Sequence, residues 1–344
     1  MKKKKILLSL SAGIDSTSTL LLLKKNNFYI EAVFIINWTS LHSCQNNKDL
    51  IHAKILCKKI KIKLNTINLT NHYWSMVFIT FLKKLKNGLT PNPDITCNEK
   101  IKFQILLNYS KKTLNFNFIA TGHYATIYKN KKSIELRQSV NLEKDQTYFL
   151  SKIKTKKLKA VLFPITNYQK TDIKLILRFL KFINANKKNS VGICFIGNNN
   201  FKNFIKIYLH KNYGIIKNSN NKKIGYHEGL HFYTLGQRKT FAGKKKIWYV
   251  YKKNIKTNVL YISTNKFIIL NTHIIELCKT TCYLNNKEKV LCKVKLRHQS
   301  ITLSCILYIK KNLIIIKKLF NMTASGQCIS FYKNNTCIGY GIVK

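Results

Sequence analysis

A chain of 344 residues, 45% hydrophobic and 12% aromatic, exceeds one ordinary domain of about 100 to 200 residues and is too apolar for intrinsic disorder, so two or three packed units are expected. Its 62 Lys and Arg against 12 Asp and Glu leave a formal charge of +50, which repels itself in a compact fold unless a polyanion or salt screens it, and this makes nucleic acid the leading partner. Ten Cys are too sparse for a small disulfide scaffold, and no run reaches the roughly 18 apolar residues of a membrane span, so a soluble cytoplasmic protein is expected.

Along the chain, Lys2 to Lys5 followed by Ile6-Leu7-Leu8-Ser9-Leu10 has the head of a secretory signal, but the apolar part is short and soon meets Asp15. It reads as a buried first strand. Helical spacing follows over 16–25, a β-branched run over 29–36, a helix over 49–60, a strand over 64–69, helices over 73–86 and 98–111, and a strand over 116–121. This alternation predicts a doubly wound α/β unit around a parallel sheet. After about residue 200 the texture changes to short β-type runs such as Trp248-Tyr249-Val250-Tyr251 and Val259-Leu260-Tyr261-Ile262. From about 266 onward, short strands with turn signals predict a small antiparallel β-barrel or sandwich.

Lys, Asn and Ile crowd almost every segment, as codon drift in an AT-rich genome would make them, so charge alone does not establish RNA binding. Lys131 and Lys187 lie in motif-free Lys and Asn clusters and read as such drift. The scarcity of acids is more informative. Only Asp15, Asp49, Asp94, Asp145 and Asp172 remain among the aspartates; Asp49 and Asp172 read as helix-start residues.

Ser9-Leu10-Ser11-Ala12-Gly13-Ile14-Asp15-Ser16 lies between the first strand and the first helix. Small residues and hydroxyls there let backbone N–H groups surround an anion at a helix N-terminus. The lysine of a phosphoryl-transferring P-loop is missing. Thr90-Pro91-Asn92-Pro93-Asp94-Ile95-Thr96-Cys97 holds two of the three prolines and reads as a stiff extended segment ending in a thiol at a helix start, a position that favours thiolate. Ser190-Val191-Gly192-Ile193-Cys194-Phe195-Ile196-Gly197 sets a second Cys between glycines. Trp38 and Tyr124 read as core or as stacking groups. Cys278, Cys282 and His273 lack a second ligand pair and read as barrel residues, so no metal site is assigned.

With Ala120-Thr121-Gly122-His123-Tyr124, Lys144-Asp145-Gln146, Tyr233 to Lys239, Arg297-His298-Gln299 and Gly326-Gln327, these blocks come in the order found in the tRNA-specific 2-thiouridylase family, which the chain resembles over nearly its full length. The resemblance implies an ATP-pyrophosphatase domain over 1–200 holding both cysteines, a small tRNA-contacting domain over 201–265 and a C-terminal β-barrel over 266–344. It implies ATP and Mg²⁺, a persulfide sulfur donor delivered by a sulfur-relay protein or cysteine desulfurase, and tRNAs for Lys, Glu and Gln as partners. Ser9 to Ser16, Ile35 and Gly122 would line the ATP site. Asn92, Pro93 and Asp94 would meet the target base, with Cys97 as nucleophile or acid-base thiol and Cys194 as persulfide carrier. His123, Lys144, Asp145, Gln146, Arg297, His298 and Gln327 would contact tRNA.

The chemistry asks for such parts. The oxygen on carbon 2 of uracil leaves poorly until adenylation converts it to a good leaving group, and a persulfide supplies the nucleophilic sulfur. Ala12, where the family loop has Gly, and Asn189 and Val191, where it has Asp and Thr, depart from the pattern. A basic tRNA-binding protein that has lost catalysis is the alternative, but it gives no role to Asp15 and both cysteines.

Overall fold

The computed structural model describes residues 4–26, 28–38, 44–131, 133–187, 195, 200–240, 246–265, 268, 270–271, 273–284, 287–318, 320–321 and 323–344. Their Cα framework falls into two compact units. One comprises Met1–Phe78, Pro93–Gly197 and Asn335–Cys337, the other Ile79–Asn92, Asn198–Asn334 and Ile338–Lys344.

The first unit is built on a five-stranded parallel sheet. Strands β1 (Lys5–Ser9), β2 (Tyr29–Ile36), β3 (Leu64–Asn68), β4 (Phe118–Ala120) and β5 (Val161–Leu162) take the order β3-β2-β1-β4-β5. Ile6, Leu7, Leu8, Ala32 and Val33 are fully buried, which is why these segments read as continuous apolar runs and not as alternating ones. Helix α1 (Ile14–Lys25) carries Asp15 in its first turn and Lys24 and Lys25 in its last, matching the helix dipole at both ends. Its buried hydroxyls are satisfied locally, with Ser16 and Thr17 donating to the Gly13 carbonyl, Ser18 to that of Ile14 and Thr19 to that of Asp15. Apolar side chains of α1 and of helices α2 (Cys44–Ile60) and α3 (Lys170–Phe179) close the core over the sheet.

The helix expected over 98–111 starts earlier. Residues Pro93–Cys97 already form an α-helical turn, Asn98–Leu106 continue it with π-type spacing and Leu107–Lys112 complete it. Proline is well suited to a first helical position, so the segment read as extended is the helix start. Cys97 is its fifth residue, past the first turn in which the dipole acts.

In the second unit, strands β6 (Gly214–Lys217), β7 (Lys223–His227), β8 (Arg238–Thr240), β9 (Ile247–Asn254) and β10 (Val259–Ser263) make a sheet of order β8-β9-β10-β6-β7. The last strands, β11 (Ile274–Cys282), β12 (Lys289–Lys295), β13 (Thr302–Tyr308), β14 (Leu313–Ile316), β15 (Cys328–Lys333) and β16 (Thr336–Val343), run in the order β11-β14-β13-β12-β15-β16. Pairing of β11 with β16 closes them into a six-stranded antiparallel barrel, resolving the sequence alternatives of barrel or sandwich. Ile314, Ile316, Val294, Leu307, Ile329 and Phe331 fill its interior.

Candidate active site

In an open parallel sheet a ligand site forms at the carboxyl edge where the strand order reverses. Here the chain steps from β1 to β2 on one side and later places β4 on the other, so the switch point lies between β1 and β4. The Ser9 to Ser16 loop leaves β1 at that edge. Ser11 N–H donates to Ser16 Oγ at 3.3 Å, and the two hydroxyl oxygens are 3.2 Å apart. Gly122, just after β4, lies so close that a Cβ on it would be 2.7 Å from both Asp15 C and Ser16 N. Glycine is required there by contact with backbone that cannot yield. Ile35 lies half-buried near the end of β2.

Ala12 has φ 52°, the left-handed conformation in which the family's glycine would be at ease. That conformation costs alanine about 1–2 kcal/mol, while glycine loses about 0.5–1 kcal/mol through its greater unfolded freedom and about 0.8 kcal/mol through the lost burial of one carbon. The terms nearly cancel. Ala12→Gly is therefore expected to hold stability within about 1 kcal/mol of wild type in chemical denaturation and to preserve pyrophosphate release; a large loss of either would mean that the Ala12 methyl is needed.

Two groups that sequence reasoning missed complete the loop. Lys170, first residue of α3, places Nζ 3.0 Å from Asp15 Oδ2, and its side chain is 13% exposed. Asn184 donates to the Ala12 carbonyl at 3.1 Å and to Thr17 Oγ1 at 2.6 Å, fixing the strained residue from outside the loop. Asp15 Oδ1, Tyr124 Oη, Asn184 Oδ1 and Asn37 Oδ1 are buried without a partner among the described residues. Burial, with the Asp15 carboxylate second, pushes the Tyr124 phenol above its ordinary range. A lone carboxylate oxygen and a lysine beside a hydroxyl-lined helix start suit a magnesium-bound pyrophosphate group, because Mg²⁺ takes one or two carboxylates plus phosphate oxygens.

A second cluster surrounds the Pro93 helix. Burial raises the Asp94 carboxyl to about 6, against the opposing pull of the Lys102 ammonium. Cys97 is buried, 4% exposed. Burial, and then Lys102, holds the His123 imidazole well below the ordinary histidine range. Its Nδ1 lies 2.8 Å from Thr121 Oγ1, and its ring sits 5.9 Å from both Phe103 and Phe163. His123 is thus neutral near pH 7.

Cys194, like Asn189 and Val191, lies outside the described residues, but its neighbour Phe195 is placed. Phe195 packs 5.7 Å from Trp38, 6.1 Å from Tyr73 and 5.1 Å from Phe78. Trp38 is buried in this aromatic group and stacks on Trp74 at 5.3 Å, and Tyr124 belongs to the sheet core. Both take the core alternative of their sequence readings.

The expected RNA-facing residues divide. Asp145 is 1% exposed and accepts from Ser139 N–H, Thr147 N–H and the Thr147 hydroxyl at 2.7 Å. Its carboxylate organises a turn. Gln146 uses Oε1 on the Tyr124 N–H at 3.0 Å, leaving Lys144 the most available of the three, half-exposed. In the second unit Arg297 is exposed and His298 half-exposed in the turn between β12 and β13. Gln327 is half-buried and accepts from Ala324 N–H at 3.4 Å. Beside it Gly326 has φ +81°, and a Cβ there would be 2.7 Å from Leu89 Cβ.

That contact is one of several fastening the segment that leads into Asn92. Thr90 N–H donates to the Ser325 carbonyl at 2.8 Å. Lys253 Nζ donates to the Gly88 and Tyr233 carbonyls at 2.6 and 2.9 Å, and burial lowers its ammonium to about 8. Lys187, read as a drifted lysine, is instead tied to Asp49 at 2.7 Å, so both belong to the fold of the first unit. Asp172 sits in the first turn of α3 as expected.

Comparison with known proteins accords with this architecture. The family model described as tRNA methyl transferase HUP domain matches residues 4–198, that of the tRNA methyl transferase PRC-barrel domain 202–264 and that of the Aminomethyltransferase beta-barrel domain 270–343. The tRNA-specific 2-thiouridylase MnmA of Buchnera aphidicola subsp. Acyrthosiphon pisum (strain APS) is 37% identical over 363 residues, covering 100% of this chain and 97% of that protein. The protein of the same name from Blochmanniella floridana is 37% identical over 355 residues, covering 99% and 96%. The tRNA-specific 2-thiouridylase MnmA 1 of Geobacillus kaustophilus (strain HTA426) is 35% identical over 358 residues, covering 100% and 96%. With identity at this level from end to end, the chain belongs to the tRNA-specific 2-thiouridylase MnmA family.

Proposed function

We propose that this chain is an ATP-dependent sulfurtransferase that converts the wobble uridine of tRNA to 2-thiouridine. The observation that carries the reading is the loop at the β1–β4 switch point, where Asp15 keeps one carboxylate oxygen unpartnered and holds the other on Lys170. Ser11, Ser16 and the helix N-terminus would cradle the pyrophosphate of ATP, with Lys170 adding positive charge. Asp15 Oδ1 would hold Mg²⁺, which neutralises pyrophosphate charge when bound.

Uracil O2 attacks the α-phosphorus, the O–P bond forms and pyrophosphate leaves. The terminal sulfur of a persulfide on Cys194 then reaches C2, and AMP departs with the former oxygen. Cys97 attacks the Cys194 sulfur as the terminal sulfur is given up, leaving a disulfide that an external thiol reductant reopens. The domain division at 200 and 265, tRNAs for Lys, Glu and Gln, a cysteine desulfurase or sulfur-relay protein as donor, and a cytoplasmic setting belong to the same proposal. Among the described residues no helix is long and apolar enough to cross a membrane.

The base would be presented to Asn92, Pro93 and Asp94 after flipping from the anticodon loop, where unstacking is inexpensive. Asp94 as a charged hydrogen-bond acceptor for the base, the stronger kind, must be ionised. Since its carboxyl is raised to about 6, thiolation is expected to fall as pH drops through 6, and Asp94→Asn should lose that acid limb along with most of the rate. An unshifted limb in the variant would remove Asp94 from this role.

Lys144 and Arg297 are proposed phosphate contacts. Each released counterion steepens the salt dependence of affinity by about 0.7 to 0.9 in log–log slope, so replacing either by Ala should weaken tRNA binding and flatten the slope by about that amount. Exposed Lys24 and Lys131 should do neither. Equal losses from all four would mean that the diffuse charge of +50 binds tRNA and that these two are not specific contacts.

The reading is tested by pyrophosphate release from ATP in the presence of transcripts carrying U or C at the wobble position. Release should require the U transcript. Release that is equal with both, or absent with both, would contradict the proposal.

A further inference from the structure

The C-terminal barrel holds a second pair of thiols. Cys292 on β12 and Cys305 on β13 are directly opposite in the antiparallel register, and their sulfurs are 3.6 Å apart. Opposed residues in such a ladder have Cα atoms about 4.5–5.5 Å apart, inside the roughly 4.4–6.8 Å window that a disulfide spans. Bond formation at about 2.05 Å asks each sulfur to move by less than about 1 Å. No strand need shift.

The two thiols differ in character. Cys305 is buried, whereas Cys292 is half-exposed, and the two thiols share a hydrogen bond that either sulfur can donate. That hydrogen bond holds Cys292 below the ordinary thiol range and pushes Cys305 above it. The arrangement sets the more exposed thiol directly beside a buried partner. Cys282, at the end of β11, is a third thiol close enough to feel Cys292, but burial raises its pKa and leaves it the poorer nucleophile.

We propose that Cys292 and Cys305 form a peroxide-reactive modification site in which Cys292 is oxidised first and Cys305 resolves it into a cross-strand disulfide. The Cys292 thiolate attacks one oxygen of hydrogen peroxide, the S–O bond forms, the O–O bond breaks, and the departing hydroxide takes a solvent proton. Cys305 sulfur then attacks the sulfenic sulfur; the S–S bond forms, the S–O bond breaks, and hydroxide leaves with the Cys305 proton as water. Two thiols lose two electrons and one peroxide becomes two waters. The new bond would lock the hairpin whose turn carries Arg297 and His298.

The full-length protein, treated with one equivalent of hydrogen peroxide and digested without reductant, tests the site. Trypsin cuts after Lys289, Lys293, Arg297 and Lys310, so the two cysteines fall in different peptides. A crosslinked pair two hydrogens lighter than the sum of 290–293 and 298–310, lost on adding dithiothreitol, is expected. In Cys305→Ala, dimedone should label Cys292; in Cys292→Ala, Cys305 should stay unlabelled. Absence of the crosslink in folded wild-type protein, or a Cys282 to Cys292 link in its place, would overturn the proposal. The wild-type digest decides even if a variant fails to fold.

Discussion

Asp15→Asn is expected to lower tRNA-dependent pyrophosphate release by about 10²- to 10³-fold, the scale seen when one preorganised group that stabilises a developing charge is removed. The substitution keeps the volume of the side chain but takes away the negative charge beside Lys170 Nζ, 3.0 Å distant, and the carboxylate oxygen left for the cation. Persulfide loading of Cys194 uses other groups and should continue at the wild-type rate, measured by mass analysis of the loaded protein. Undiminished pyrophosphate release would remove the β1–β4 loop from adenylation. Parallel loss of loading would mean that the variant is misfolded and not selectively impaired.

Gly122→Ala is expected to have the largest structural effect at the site. The added Cβ would lie 2.7 Å from Asp15 C and Ser16 N and 3.0 Å from Asp15 O, all backbone atoms of the loop, so relief requires moving the first turn of α1. Overpacking of this kind costs about 1–3 kcal/mol, and the same movement should disperse the proposed ATP cradle. A lowered denaturation midpoint together with weakened ATP binding is the expected result. Gly225→Ala, where a Cβ would meet nothing within 4 Å, should leave both unchanged. A Gly122→Ala protein with normal ATP affinity would separate β4 from the nucleotide site.

The parallel sheet was legible because its strands are buried on both faces, so 29–36 stood out as an unbroken β-branched run and matches Tyr29–Ile36. Val161–Leu162 was not legible, since two residues carry no period. The helix beginning at Pro93 was hidden because two prolines in four residues suggest extended chain, although the second of them is a natural helix opener. The π-type stretches at Trp74–Phe78 and Asn98–Leu106 leave the apolar spacing close enough to helical that sequence passes over them.

At the site, the loop could be read because its residues are contiguous and their types are dictated by the anion they would hold. Lys170 and Asn184 could not. They reach the loop across sequence separations of 155 and 167 residues, and one lysine among so many carries no signal. Asp145 also has a local role that its neighbours disclose. Asp two residues before Thr is a turn-forming pattern, and its carboxylate is used there by the Thr147 N–H and hydroxyl.

The most direct measurement is mass analysis of nucleosides from tRNA incubated with the purified protein, ATP, Mg²⁺ and a persulfide donor. The account predicts 2-thiouridine at the wobble position, dependent on ATP and lost in Asp15→Asn, Cys97→Ser and Cys194→Ser. Wobble uridine that stays unthiolated with folded wild-type protein, or thiolation that proceeds equally without ATP, would contradict it.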